Sequence, residues 1–227
     1  MKTGVLLLLV MGLAMMSSAC SFSTVGSDQV TSEVIYQYYS VNYSADVNKT
    51  STDAQFNVNS SYGDYVELLY PSYVLVNNTP MNHSSFLGSR YDRDFFGYTQ
   101  NVEFKYVDRD GNVWINKAAI YPVSIKTYNA HLNLGSPYQI TVDASNLRSG
   151  EALDANLCQY EESGNVCANA RSSGTTLKFA VSEIAKLKAG VSTKLKVTRT
   201  YRSKAHGGKG GTVISTYTSS SVYVQIH

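Results

Sequence analysis

Val102-Glu103-Phe104-Lys105-Tyr106-Val107-Asp108-Arg109-Asp110-Gly111-Asn112-Val113-Trp114 is the stretch from which the fold is read. Val102, Phe104 and Tyr106 alternate with Glu103, Lys105 and Val107, the period of a strand with one buried face. Asp110-Gly111 supplies the positive φ angles of a tight hairpin tip. The chain then returns through Val113 to Ile120, with Trp114 early in the second arm. A β-hairpin is therefore predicted over residues 102–120.

The same signals recur on both sides of it. Val34 to Tyr43, Ala54 to Asn59, Tyr65 to Tyr70 and Tyr73 to Val76 read as strands, separated by polar turns such as Asn48 to Asp53 and Asn77-Asn78-Thr79-Pro80. His83 to Phe96, with Arg90, Asp92, Arg93 and Asp94 close together, reads as a long surface loop with short extended pieces. Tyr121-Pro122-Val123 marks a domain junction. Beyond it, Val123 to Tyr128, Tyr138 to Val142, Leu153 to Gln159, Val166 to Ala170, Thr175 to Val181, Thr193 to Arg202, Thr212 to Tyr217 and Val222 to His227 are expected as strands. In the strand 193–202, Leu195, Val197 and Tyr201 share one side. One helical turn is expected at Ser182 to Ala189, capped by Ser182 and closed by Gly190.

Composition agrees. The 18 tyrosines far exceed the seven phenylalanines and the single tryptophan, and Tyr, Val and Thr suit a pleated, half-wet surface. Such tyrosines also make economical contacts to sugars or proteins. With 19 Lys and Arg against 17 Asp and Glu, and no basic stripe, nothing recommends nucleic acid as a partner.

The alternating short strands of the second half resemble an immunoglobulin-type β-sandwich, over roughly residues 123 to 227. The fold class expected is therefore all-β, as two β-sandwich domains over residues 32–121 and 122–227, the second immunoglobulin-like.

The first twenty residues carry a different message. Lys2 is followed by an apolar run from Val5 to Met16 and then Ser17-Ser18-Ala19-Cys20. This is the layout of a secretory signal peptide over residues 1–19, and its apolar run falls short of the roughly twenty residues that cross a bilayer. Ser18-Ala19-Cys20 resembles the bacterial lipobox, with Ser17 where that family usually has Leu. The resemblance implies that Cys20 carries diacylglycerol and palmitate as the first residue of the mature chain. Ser21, rather than Asp, implies sorting to the outer membrane. Ser17 and Ala19 also satisfy an ordinary signal peptidase, which would leave Cys20 a free thiol. The count of three cysteines favours the lipid, because Cys158 and Cys167 then remain as a pair expected to form a disulfide. Residues 20–31 are expected to be a lipidated tether.

Candidate chemistry is sparse. Asp108-Arg109-Asp110-Gly111-Asn112 echoes part of a calcium loop but lacks the further ligands and the closing Glu. His83, His131, His206 and His227 show no ligand spacing, so no metal is expected. The loop His206 to Gly211 lacks the Walker pattern. No Gly-X-Ser-X-Gly and no His-Glu-X-X-His occurs, and the pairs Asp92 with Asp94 and Glu161 with Glu162 sit in polar stretches. No catalytic residue and no cofactor is expected. The functional expectation is a lipid-anchored protein of the bacterial cell envelope, at the outer membrane, binding an unknown protein or glycan or serving a structural role. The alternatives are an accessory subunit of a surface assembly and a hydrolase acting on the cell wall.

Overall fold

The structure is a computed structural model, and it describes residues 23–85, 88–161 and 164–227. The signal segment 1–19 and Cys20 lie outside the described residues. Strands follow one another as β1 (Thr24–Gly26), β2 (Ile35–Ser44), β3 (Lys49–Val58), β4 (Tyr65–Glu67), β5 (Tyr73–Val76), β6 (Thr79–Pro80) and β7 (Asn82–Ser84). Then come β8 (Arg90–Phe96), β9 (Asn101–Val107), β10 (Val113–Ala119), β11 (Ser124–Thr127), β12 (His131–Leu132) and β13 (Tyr138–Asp143). The chain ends with β14 (Ala152–Glu161), β15 (Gly164–Ser172), β16 (Thr176–Phe179), the helical turn α1 (Val181–Ile184), β17 (Ser192–Ala205), β18 (Gly211–Thr218) and β19 (Val222–Ile226). The fold is an all-β sandwich architecture.

Two apolar cores form, each between two sheets. The first holds Tyr39, Phe56, Phe104 and Tyr106, all fully buried, between β1-β4-β3-β2-β18 and the small sheet β10-β9-β5-β6. The expected inward face of the hairpin is present: Val102, Phe104 and Tyr106 are at most 1 % exposed. The second core holds Leu153, Leu157, Leu177, Ile184 and Leu195. It lies between the sheet β11-β13-β16 and the strands β15-β14-β17-β19, to which β12 adds in parallel along β19. Three strands thus face four across this core, as in a β-sandwich.

The two cores share one sheet. β17 is 14 residues long. Its first half pairs with β14 and β19 in the second core; its later half pairs with β18. β18 in turn runs parallel to β2 from Gly211 opposite Gln37 to Thr218 opposite Ser44. The β17–β18 ribbon thus leaves the second sandwich and becomes part of the first, where Ala205 and Val213 are buried. A glycine is required at the entry: a Cβ on Gly211 would stand 1.8 Å from the Gln37 carbonyl oxygen.

Three local expectations change. Residues 90–96 are a strand rather than a loop, because they pair with β3, Lys49 opposite Phe96 and Ala54 opposite Tyr91. Their charges point outward, Lys49 Nζ lying 2.8 Å from Asp94 and Arg90 Nη2 2.7 Å from Asp53. The region 20–31 is folded from Thr24 onward, since β1 lies parallel to β4 and Ser27 is buried. The helical turn is shorter than expected and begins after Ala180, with no side-chain cap, although Ile184 and Leu187 face inward.

Candidate functional site at the junction of the two sandwiches

The position that β17 places at the junction is Arg199. Strand period puts it on the inward face with Leu195, Val197 and Tyr201, so a guanidinium points where an apolar side chain would be expected. A buried charge is tolerated only when it is paired and its donors are satisfied. Glu151, with its side chain 1 % exposed, supplies the pair: Arg199 Nη2 lies 2.6 Å from Glu151 Oε2. Nε also donates to Glu151 Oε2 at 3.2 Å, and the remaining donors reach backbone, Nη1 to the carbonyls of Pro122 (3.2 Å) and Ser145 (2.9 Å), and Nη2 to that of Asn146 (3.0 Å).

Glu151 holds a second arginine. Arg148 Nη2 is 2.8 Å from Oε1, and the Arg148 backbone N–H donates to Oε2 at 2.8 Å. The Arg148 guanidinium is stacked between two rings, 3.7 Å from the Tyr201 centroid and 4.4 Å from that of Tyr121. Burial pushes the Glu151 carboxyl up, but the hydrogen bonds from Arg199 and Arg148 outweigh it, so the group stays below the usual carboxylate range.

Above this floor opens a cleft of about 430 Å³. Arg148 and Tyr201 line its base, Ser203 and Ser215 come from the ribbon, and Glu103 and Lys117 face each other on β9 and β10. Lys117 Nζ is 3.5 Å from Glu103 Oε2. Two arginines share one carboxylate beneath the cleft, leaving an excess of positive charge there. The carboxylates are already engaged: Glu151 is held ionised by its partners and Glu103 faces a lysine. The cleft therefore presents guanidinium, ammonium and hydroxyl groups, with both nearby carboxylates already paired to cations.

The residues singled out from sequence are dispersed. Cys158 and Cys167 are bonded, opposite each other on β14 and β15. Asp108 is buried at the hairpin tip, where its carboxylate accepts from the N–H groups of Asp110 and Asn112 and from Asn112 Nδ2. Those donors occupy the oxygens that a calcium ion would need. The glycine loop packs on the first core: a Cβ on Gly207 would stand 2.4 Å from the Trp114 ring, and the His206 N–H donates to Asn116 Oδ1. Glu162 lies outside the described residues.

Parallel pairing of β12 with β19 brings two histidines together, His131 Nδ1 lying 3.0 Å from His227 Nε2. Their separation of 96 residues hid this from sequence reasoning. Among the described residues no group of three or more His, Cys, Asp or Glu is placed to hold a metal ion. Nor, among them, is any helix long and apolar enough to cross a membrane. No protein-family model and no curated protein matches this chain.

Proposed function

We propose that this chain is a lipid-anchored protein of the bacterial cell envelope, acylated at Cys20, whose β-sandwich body binds a polar or anionic ligand in the junction cleft. The cleft carries the binding half of this reading: a Tyr201–Arg148 platform fixed from below by Glu151 and Arg199 is preorganised, so little ordering is lost on binding. Carboxyl- and hydroxyl-bearing fragments of envelope glycan or peptide match that chemistry. The fully engaged Glu151 favours a binding role over the hydrolase alternative. The lipobox-like Ser18-Ala19-Cys20 supports the anchor, and Ser21 after it supports the outer-membrane address.

Metabolic labelling with palmitate tests the anchor. Label is expected in the mature protein and absent from Cys20→Ala; equal labelling of the two would remove the anchor from the proposal. The cleft is tested in the same preparation by titration calorimetry with soluble envelope glycan fragments. Lys117→Glu, which reverses the charge at the rim, is expected to abolish binding. Binding unchanged by that substitution would place the ligand elsewhere.

A further inference from the structure

The fold begins almost at the proposed lipid. Ser23 is already tied down, its carbonyl accepting from the Tyr65 N–H at 2.9 Å and its own N–H donating to Asp64 Oδ1 at 3.3 Å. Beyond it, Ser27 N–H donates to the Glu67 carbonyl at 2.8 Å, Ser27 Oγ accepts from Leu69 N–H at 2.9 Å, and Arg109 Nη1 donates to the Asp28 carbonyl at 3.0 Å. Val25 and Val30 pack against the first core. Only three peptide steps separate Cys20 from Ser23, so the leash spans at most about 11 Å. A body so tied has little freedom to turn.

Sheet register then says which end faces the bilayer. β1 and β4 run away from Ser23 in parallel. Val58 ends β3 and Ile35 opens β2 at the same level. Ala205, opposite Gly211, turns the ribbon there too. The loop 59–64 therefore lies at the anchored end, and it carries Tyr62, 85 % exposed. Tyrosine is a residue of the membrane–water interface, its ring among headgroups and its hydroxyl wet. Asp28, Glu33, Asp64 and Asp110 stand around this end against Arg109, Lys204 and Lys209, so charge does not draw it to anionic lipid. The leash and the aromatic ring must do so.

Resting on the proposed acylation, we infer that the anchored end seats directly on the bilayer with Tyr62 among the lipid headgroups. The long sheet then stands away from the membrane. β17 alone spans roughly 45 Å, and Tyr223, paired opposite Lys194 near its far end, stays in water.

The test uses full-length mature protein purified from membranes, its N-terminal acylation confirmed by mass, in vesicles of phosphatidylcholine brominated high on the acyl chain. Tyr62→Trp and Tyr223→Trp each add fluorescence to that of Trp114. The light added at position 62 is expected to be quenched by brominated lipid, and that added at 223 to be unaffected. Inserting about twelve Gly/Ser residues between Phe22 and Ser23, a coil of about 17–21 Å, is expected to relieve the quenching at 62. Acylated protein with no quenching at 62, or with equal quenching at both positions, overturns the seating and leaves the anchor standing. Protein without acyl chains overturns both.

Discussion

Arg199→Ala is the most informative single change in this molecule. It removes a guanidinium whose side chain is 2 % exposed and leaves Glu151, 1 % exposed, with Arg148 as its remaining partner. Three carbonyls, of Pro122, Ser145 and Asn146, lose a donor at the same time. Breaking one side of a buried pair costs about 3–5 kcal/mol, against about 0–1 kcal/mol for an exposed pair. For a chain of this size each kcal/mol moves Tm by about 2–4 °C, so the expected drop is about 6–20 °C. Calorimetry at neutral pH measures it. Arg199→Lys keeps the charge but not the fork, and should fall between the parent and Arg199→Ala. A loss within about 1 kcal/mol for Arg199→Ala would refute the reasoning, because the junction would then be behaving as solvent-exposed surface.

Acid sensitivity gives the same pair a second readout. The Glu151 carboxyl is depressed in the folded chain relative to the unfolded one. Its contribution is therefore complete above the ordinary carboxylate pKa and is lost as pH falls through the lower folded value. Removing Arg199 removes one of the groups that depress it. The acid limb of the stability curve should accordingly be shallower in Arg199→Ala than in the parent.

Two further outcomes follow from the ribbon. Gly211→Ala places a methyl group 1.8 Å from the Gln37 carbonyl oxygen, which the pairing of β18 with β2 cannot absorb; a loss of at least about 1–3 kcal/mol is expected by urea denaturation, and a parent-like midpoint would mean the ribbon is not docked. Asp46, drawn down to about 2 by Lys196 in the main and by Ser221, should titrate that low in an NMR pH series; the stability it contributes is present above its ordinary value of 3.8 and fades as pH falls toward 2, and Asp46→Asn should remove that fraction of the acid dependence.

Much of the fold was legible where local signals agreed. The 102–120 hairpin combines strict alternation with Asp-Gly at its tip, and residues buried on one face follow from period alone. β8 was not legible, because Arg90, Asp92 and Asp94 read as solvated loop; their strand character comes from β3 and its Lys49 and Asp53, some forty residues earlier. β1 is three residues of Thr-Val-Gly, and only a partner at Tyr65–Glu67 makes it a strand. In β17, Leu195, Val197 and Tyr201 announced an inward face, and the residue between them in that period, Arg199, conflicted with it. That conflict was the available signal for the junction: a charge on a buried period implies an opposite charge from elsewhere. The sequence could not say that the partner is Glu151, 48 residues away.

A junction at Tyr121-Pro122-Val123 would ordinarily suggest two bodies free to hinge. Here the chain crosses between them again. The β17–β18 ribbon carries backbone pairing from one sandwich into the other, Arg199 clamps Pro122 and the 145–146 turn to the ribbon, and Asp46 in the β2–β3 turn holds Lys196 and Ser221. Opening a hinge would require all three to break together, so the cleft between the bodies is a fixed feature rather than one assembled on binding. The cleft also depends on the crossing for its walls, since Tyr201, Ser203 and Ser215 all belong to the ribbon. The cleft and the rigidity of the molecule are in this sense one device: if the proposed ligand binds there, a mutation that undocks the ribbon at Gly211 should cost binding as well as stability.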